Sequence, residues 1–187
     1  MTVSTGARVA PAGGGEGIGP ASPGERNVSR SLGPHLPDAL LARLAGPHAS
    51  APLDGVVILT TVDPYGWPHP ALLSYAEVAA LDAVRLRLGL HAGSRSARHI
   101  TDTGRATLVF ADAELIFYVR AEAVSLPEAP GHVGLARFEL HVRDVLEDRA
   151  EGEEAGARLT GGLTVAWPGG LEAAARRHAR IRLALLA

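Results

Sequence analysis

The residues with the clearest chemical potential lie together, directly after an alternating strand pattern that ends near His91. They are Ser94, Arg95, Ser96 and Arg98. The pattern predicts a helix that begins here with Ser94 as its N-cap. The first N–H groups of a helix lack partners within it and carry partial positive charge, so they attract phosphate, while arginine and serine add hydrogen-bond donors. The stretch therefore predicts a phosphate-binding site, although the same residues also suit an ordinary capped, solvent-exposed helix.

Other kinds of catalytic site find little support in the sequence. All 18 basic residues are arginine, and cysteine is absent, so lysine Schiff bases, cysteine nucleophiles and disulfides are excluded. The eight histidines form no H-x-x-x-H or H-E-x-x-H pair, so no metal site is predicted. His91 or His141 alone could serve as a haem ligand, or each could be an ordinary surface histidine.

Composition describes a globular chain of one domain. The 187 residues are 47% hydrophobic and 20% charged, with a formal net charge of -2. This charge argues against a basic nucleic-acid binder or a polybasic membrane-surface protein, and no apolar run is long enough to cross a membrane. The N-terminus has no signal-peptide pattern, so we expect a cytoplasmic location.

The elements that must position the phosphate-binding stretch are mostly strands. Apolar residues recur at a period of two in six segments, which we predict as strands near 55–62, 69–78, 84–90, 106–111, 115–124 and 133–145. Helical spacing predicts helices over 36–45, 94–103 and 171–186, the second ending at Gly104. Short spacing and tight turns, with one helix between the third and fourth strands, predict a mainly β fold, a small antiparallel barrel with peripheral helices.

The domain organisation follows from composition. Residues 1–34 are rich in glycine and proline and have no apolar periodicity, so we expect a disordered leader. Residues 35–187 are expected to form a single domain, with the barrel core at about 55–145 and a closing helix at about 170–186.

Three motifs in order carry a resemblance to a known family. They are LTTVDPYGWPHPALLSY at 59–75, LRLGLHAGSRSARHI at 86–100 and GRATLVF at 104–110. Together they resemble the pyridoxamine 5'-phosphate oxidase-like FMN-binding split-barrel proteins, over about half of the chain.

The resemblance implies a six-stranded Greek-key split barrel that forms a homodimer, with FMN in a groove between the subunits. The phosphate-binding Ser-Arg of the family falls on Ser94 and Arg95, with Arg98 one turn along the helix. His91 belongs to the same stretch. Backbone on two strands would line the flavin ring; the candidate positions are Leu72, Leu73, Ser74, Leu88, Gly89 and Leu90.

The chain departs from the oxidases at three cationic positions. Ser96 stands where a lysine is common, and His69 and Ser74 stand where the oxidases carry an arginine and a lysine. These departures weaken the case for pyridoxamine phosphate oxidation more than the case for flavin binding. They leave three readings open: an FMN-dependent oxidoreductase acting on a small molecule, a non-catalytic flavin or haem carrier or sensor, and an F420-dependent reductase. A module without any ligand is a further alternative.

Overall fold

The fold is an antiparallel sheet with three helices packed around it. The computed structural model describes residues 29–46, 51–129, 133–148 and 155–187. The strands are β1 (Ser29–Ser31), β2 (Val56–Val62), β3 (Pro68–Ser74), β4 (Val78–Ala80), β5 (Arg85–His91), β6 (Arg105–Ala111), β7 (Ile116–Leu126) and β8 (Leu135–Asp148). The helices are α1 (Asp38–Leu44), α2 (Arg95–Thr103) and α3 (Gly170–Leu186).

The order of the strands shows how the sheet curls. Its path runs β3-β2-β6-β7-β8-β5-β4, and β1 pairs with β8 beside this path. The two ends of the path, β3 and β4, are separated in the chain only by a 3-10 turn at Tyr75–Glu77. The sheet must therefore bend round until its ends approach each other, which makes it a split barrel and confirms the predicted mainly β fold class.

The prediction of six strands is wrong in number. Each predicted strand is present, but the second ends at Ser74 and β4 follows as a separate strand. Ser74 and Glu77 form a reciprocal capping box that turns the chain between them. The predicted leader also extends too far, because β1 pairs with β8 through Ser29↔Asp148 and Ser31↔Leu146. Residues 1–28 lie outside the described residues.

The core fills the inside of the curled sheet. Alternate residues of β2 and β6 face inward, and Leu59, Leu88, Leu108 and Leu140 have no exposed surface. Burial of each such leucine stabilises the fold by about 1.5–3 kcal/mol. Among the described residues, no helix has the length and hydropathy needed to cross a membrane.

Helix α3 is fixed to the barrel by two buried arginines. Arg182 donates to the carbonyl oxygens of Leu44 at 2.6 Å, Gly46 at 2.6 Å and Val78 at 3.1 Å. Arg137 of β8 donates to the carbonyl oxygen of Ala184 at 2.8 Å. These bonds tie α3 to the end of α1, to β4 and to β8, so the closing helix is an integral part of the barrel.

Candidate functional site

The start of α2 has the predicted helix-cap geometry. Ser94 is the N-cap, and its Oγ accepts a hydrogen bond from the N–H of Ala97 at 3.2 Å. The N–H of Arg98 donates to the carbonyl oxygen of Ser94 at 3.3 Å. Within the described part of the chain, the N–H groups of Arg95 and Ser96 have no acceptor. Two backbone donors are thus available to a ligand.

The cationic side chains at this helix start are also available. Arg95 and Arg98 are exposed, and neither has an acidic partner among the residues that the structure describes. Several other surface arginines are paired with a carboxylate, as Arg176 is with Glu172 at 2.5 Å. The pair on α2 therefore adds uncompensated positive charge beside the free N–H groups, where the helix dipole already favours an anion.

The side chain of Ser96 is buried, unlike those of Arg95 and Arg98. Its residue is only 4% exposed, because it lies on the face of α2 that packs against the barrel with Ala97 and Ile100. The structure thus divides the predicted stretch into the exposed Arg95 and Arg98, the half-buried Ser94 and the buried Ser96.

A buried polar contact lies behind this helix. His99 is 7% exposed, and its Nδ1 lies 3.1 Å from Oγ1 of Thr61 on β2. The ring of His69 on β3 meets the His99 ring edge-on, with centroids 5.0 Å apart. The structure therefore brings His69 to α2, as part of a packed pair. Sequence reasoning missed His99 and Thr61, although His99 shares the buried helical face of Ser96 and Ile100.

The candidate positions on β3 differ in their access to solvent. Leu72 is 68% exposed, on a strand that ends the sheet path. Leu73 is buried in the core. Ser74 is also buried, and its N–H and Oγ both donate to Glu77, at 2.6 and 2.9 Å. Of these three, only Leu72 offers its side chain to a ligand.

Of the candidate positions on β5, Leu88, Gly89 and Leu90 are buried and only His91 is exposed. Leu88 and Leu90 point into the core. Gly89 faces the other way, where α3 lies over it, and a Cβ atom there would stand 2.8 Å from Leu185. His91 is exposed, and its Nδ1 accepts a hydrogen bond from the N–H of Gly93 at 3.2 Å.

Arg177 and His178 of α3 form a cluster with Trp167 and Glu77. The Arg177 guanidinium lies 5.0 Å above the ring of Trp167 and reaches Glu77 at 3.4 Å. His178 meets the same Trp167 ring edge-on at 5.8 Å. Burial, with a smaller contribution from Arg177, lowers the pKa of His178. Trp167 donates from Nε1 to the carbonyl oxygen of Leu53 at 2.8 Å, so it packs within its own chain.

A cavity of about 410 Å³ opens beside His91. Glu77, Arg177 and Arg180 also line it. It lies between the end of β5, the start of β8 and helix α3. No group of three or more histidine, aspartate or glutamate side chains suited to a metal ion occurs in the described ranges.

Comparison with known proteins shows where this barrel belongs. Residues 50–167 match the family model described as pyridoxamine 5'-phosphate oxidase. The chain belongs to this family. The matched range contains all three sequence motifs and the start of α2, whereas α3 lies beyond it.

Individual relatives of this family member are distant. The uncharacterized protein YclD of Bacillus subtilis (strain 168) is 28% identical over 131 residues, which span 70% of this chain and 82% of that protein. A solved structure from Lactobacillus delbrueckii, described as a candidate pyridoxamine 5'-phosphate oxidase, is 18% identical with a TM-score of 0.49, covering 62% of this chain and 97% of the other. The haem storage protein HutZ of Vibrio cholerae is 13% identical with a TM-score of 0.43, covering 54% and 90% respectively.

Proposed function

We propose that this chain binds FMN and acts as a flavin-dependent oxidoreductase on a small molecule, as a cytoplasmic homodimer. The observation that carries the proposal is the start of α2, in a chain of the pyridoxamine 5'-phosphate oxidase family. There, Arg95 and Arg98 have no acidic partner, and two backbone N–H groups have no acceptor, within the described part of the chain.

The phosphate end of FMN fits this arrangement. The cap bond uses the Ser94 oxygen as an acceptor, so the hydroxyl hydrogen of Ser94 remains available to donate. Arg95 supplies a charged, two-pronged donor, and Arg98 lies one turn along the same helix. These three residues would hold the phosphate, and the buried Ser96 would contribute only its backbone N–H.

Fewer of the candidate positions are open to the flavin ring of FMN than to its phosphate. Leu185 covers Gly89, and Ser74 is held by Glu77, so neither position is open to a planar ring. The exposed face of Leu72 remains open on β3. When bound, FMN supplies the acceptor for hydride transfer, while the chain supplies binding and orientation.

An apolar row on the outer face of the sheet supports the homodimer. The strand register places side chains directly across from one another along Leu72, Ile58, Val109, Tyr118 and Leu146. Leu72 is largely exposed and the others are half-buried, although they face away from the core. A row of this kind is suited to contact with a second copy, which would complete the groove for the cofactor.

A second candidate is a non-catalytic carrier or sensor that holds haem. It is favoured by His91, which is exposed at the edge of a cavity and whose Nε2 has no partner in the described part of the chain. An F420-dependent reductase would use the same phosphate-binding residues as an FMN enzyme, so the cofactor has to be identified directly.

The visible absorption spectrum of the purified protein separates these candidates. We expect flavin bands that remain with the protein through gel filtration after FMN is added. The protein should elute with an apparent mass of about twice the 19.4 kDa chain mass. A haem-type band instead would support the carrier. A colourless protein that retains F420 but not FMN would support the deazaflavin reductase, and retention of none of the three would contradict all these proposals.

A further inference from the structure

A groove of about 410 Å³ crosses the outer face of the sheet at one end of β2, β6, β7 and β8. The charged residues that line it are Arg105, Arg120, Glu122 and Arg143. Three guanidinium groups thus face one carboxylate. Thr60 and Thr107 add hydroxyl groups, and all these residues belong to paired strands.

The strand register explains why these side chains converge. Thr60 is paired with Thr107, and Thr107 with Arg120, so these three form one row across the sheet. Arg105 is paired with Glu122 in the next row of the same face. Directly opposed side chains lie about 5 Å apart, and successive rows on one face lie about 7 Å apart. Arg105 and Arg120 therefore lie in adjacent rows of one face, close enough for both guanidinium groups to contact the same small anion.

The acidic side chains nearby do not neutralise all of this charge. Arg143 is paired with the one carboxylate of the groove, since its NH2 group lies 2.5 Å from Glu122. Arg120 is paired with Asp144 only at 3.9 Å, and the other carboxylate oxygen of Asp144 accepts a hydrogen bond from Ser31 at 2.6 Å.

Arg105 has no direct acidic partner within the described residues. The hydrogen bond from Arg143 lowers the pKa of the Glu122 carboxyl, and the charge of Arg105 lowers it by a smaller amount. Arg105 and Arg120 are thus the two cations in the groove with donors to spare.

We propose that this groove binds the dianionic phosphate group of a small molecule. Arg105 and Arg120 are its charged donors, and Thr60 and Thr107 are its hydroxyl donors. Two spare guanidinium groups match the two charges of a phosphate monoester and bind its oxygens in a fixed fork geometry. The site is separate from the start of α2, because the residues that line the groove include none of α2 and not its N-cap Ser94.

Calorimetric titration of the full chain with inorganic phosphate tests this site. We expect saturable binding that the Arg105→Gln and Arg120→Gln substitutions each weaken by roughly tenfold or more, since each removes a charged hydrogen bond. Acetate, with one charge, should bind more weakly than phosphate. The control Arg176→Gln removes an arginine on α3 that is paired with Glu172, outside the groove, and should leave phosphate binding unchanged.

The outcome also separates this site from the proposed cofactor site. Arg95→Ala should leave phosphate binding in the groove intact. The proposal is overturned if the wild-type chain shows no saturable phosphate binding, or if both groove variants bind phosphate with the same affinity and stoichiometry as the wild type. Binding that is lost in Arg95→Ala but kept in the groove variants would place the anion at α2 and would likewise overturn it.

Discussion

Replacing Arg182 with methionine is expected to lower the free energy of unfolding by about 3 kcal/mol or more. The Arg182 guanidinium is 5% exposed and donates to the carbonyl oxygens of Leu44, Gly46 and Val78. Methionine fills much of the same volume but donates nothing, so these acceptors lose their partner, at about 1–3 kcal/mol for each that stays buried. Burial lowers the pKa of Arg182, because a charged guanidinium is less stable away from water. Methionine removes this desolvation cost, but we expect the loss of the hydrogen bonds to be the larger effect.

The Arg180→Met variant is the matched control for this prediction. Arg180 lies two residues earlier on α3, is exposed, and has no partner within the described ranges. Its substitution should change stability by no more than about 0.5 kcal/mol. Denaturant unfolding of both variants measures the difference. Equal stability would mean that the Arg182 bonds do not hold α3 in place.

Replacing Phe110 with alanine is expected to destabilise the barrel by about 3–5 kcal/mol. Phe110 lies on β6 with no exposed surface, and its ring packs against Tyr75 with centroids 5.9 Å apart. The cost combines the lost burial of the ring with the cavity that remains. Tyr75 belongs to the 3-10 turn that joins β3 to β4, so this contact lies where the ends of the sheet path approach each other.

Tyr65→Ala provides the comparison, because Tyr65 is 87% exposed in the turn between β2 and β3. It should cost no more than about 0.5 kcal/mol. Thermal and denaturant unfolding of the two variants should therefore differ clearly. A Phe110 variant as stable as the Tyr65 variant would refute the assignment of Phe110 to the barrel core.

Local patterns in the sequence predict those parts of the fold that local chemistry determines. The alternation from Val84 to Leu90 predicts β5, and Ser94 and Gly104 mark the two ends of α2 as observed. Gly104 takes φ 64°, a conformation that favours glycine at a helix end. The turn after Ser74 was also readable, since Ser-x-x-Glu is a capping-box pattern, but the apolar alternation around it favoured a longer strand.

Contacts between distant segments explain what the sequence did not predict. Strand β1 forms only because it pairs with β8, more than one hundred residues away, and three residues carry no strand signal of their own. The cover that α3 places over Gly89 depends on how Leu185 docks, which no local pattern describes. The side-chain exposure of Arg95 and the burial of Ser96 follow from which face of α2 meets the barrel.

The most direct test of the central claim is a fluorescence titration of FMN with the wild-type chain and the Arg95→Ala variant. We predict that loss of this charged hydrogen bond raises the dissociation constant roughly tenfold or more, equivalent to about 1.5–3 kcal/mol. Arg176→Ala, which removes a paired arginine on the exposed face of α3, should bind FMN like the wild type. Equal FMN affinity in a folded Arg95→Ala variant and the wild type would contradict the assignment of the cofactor phosphate to the start of α2.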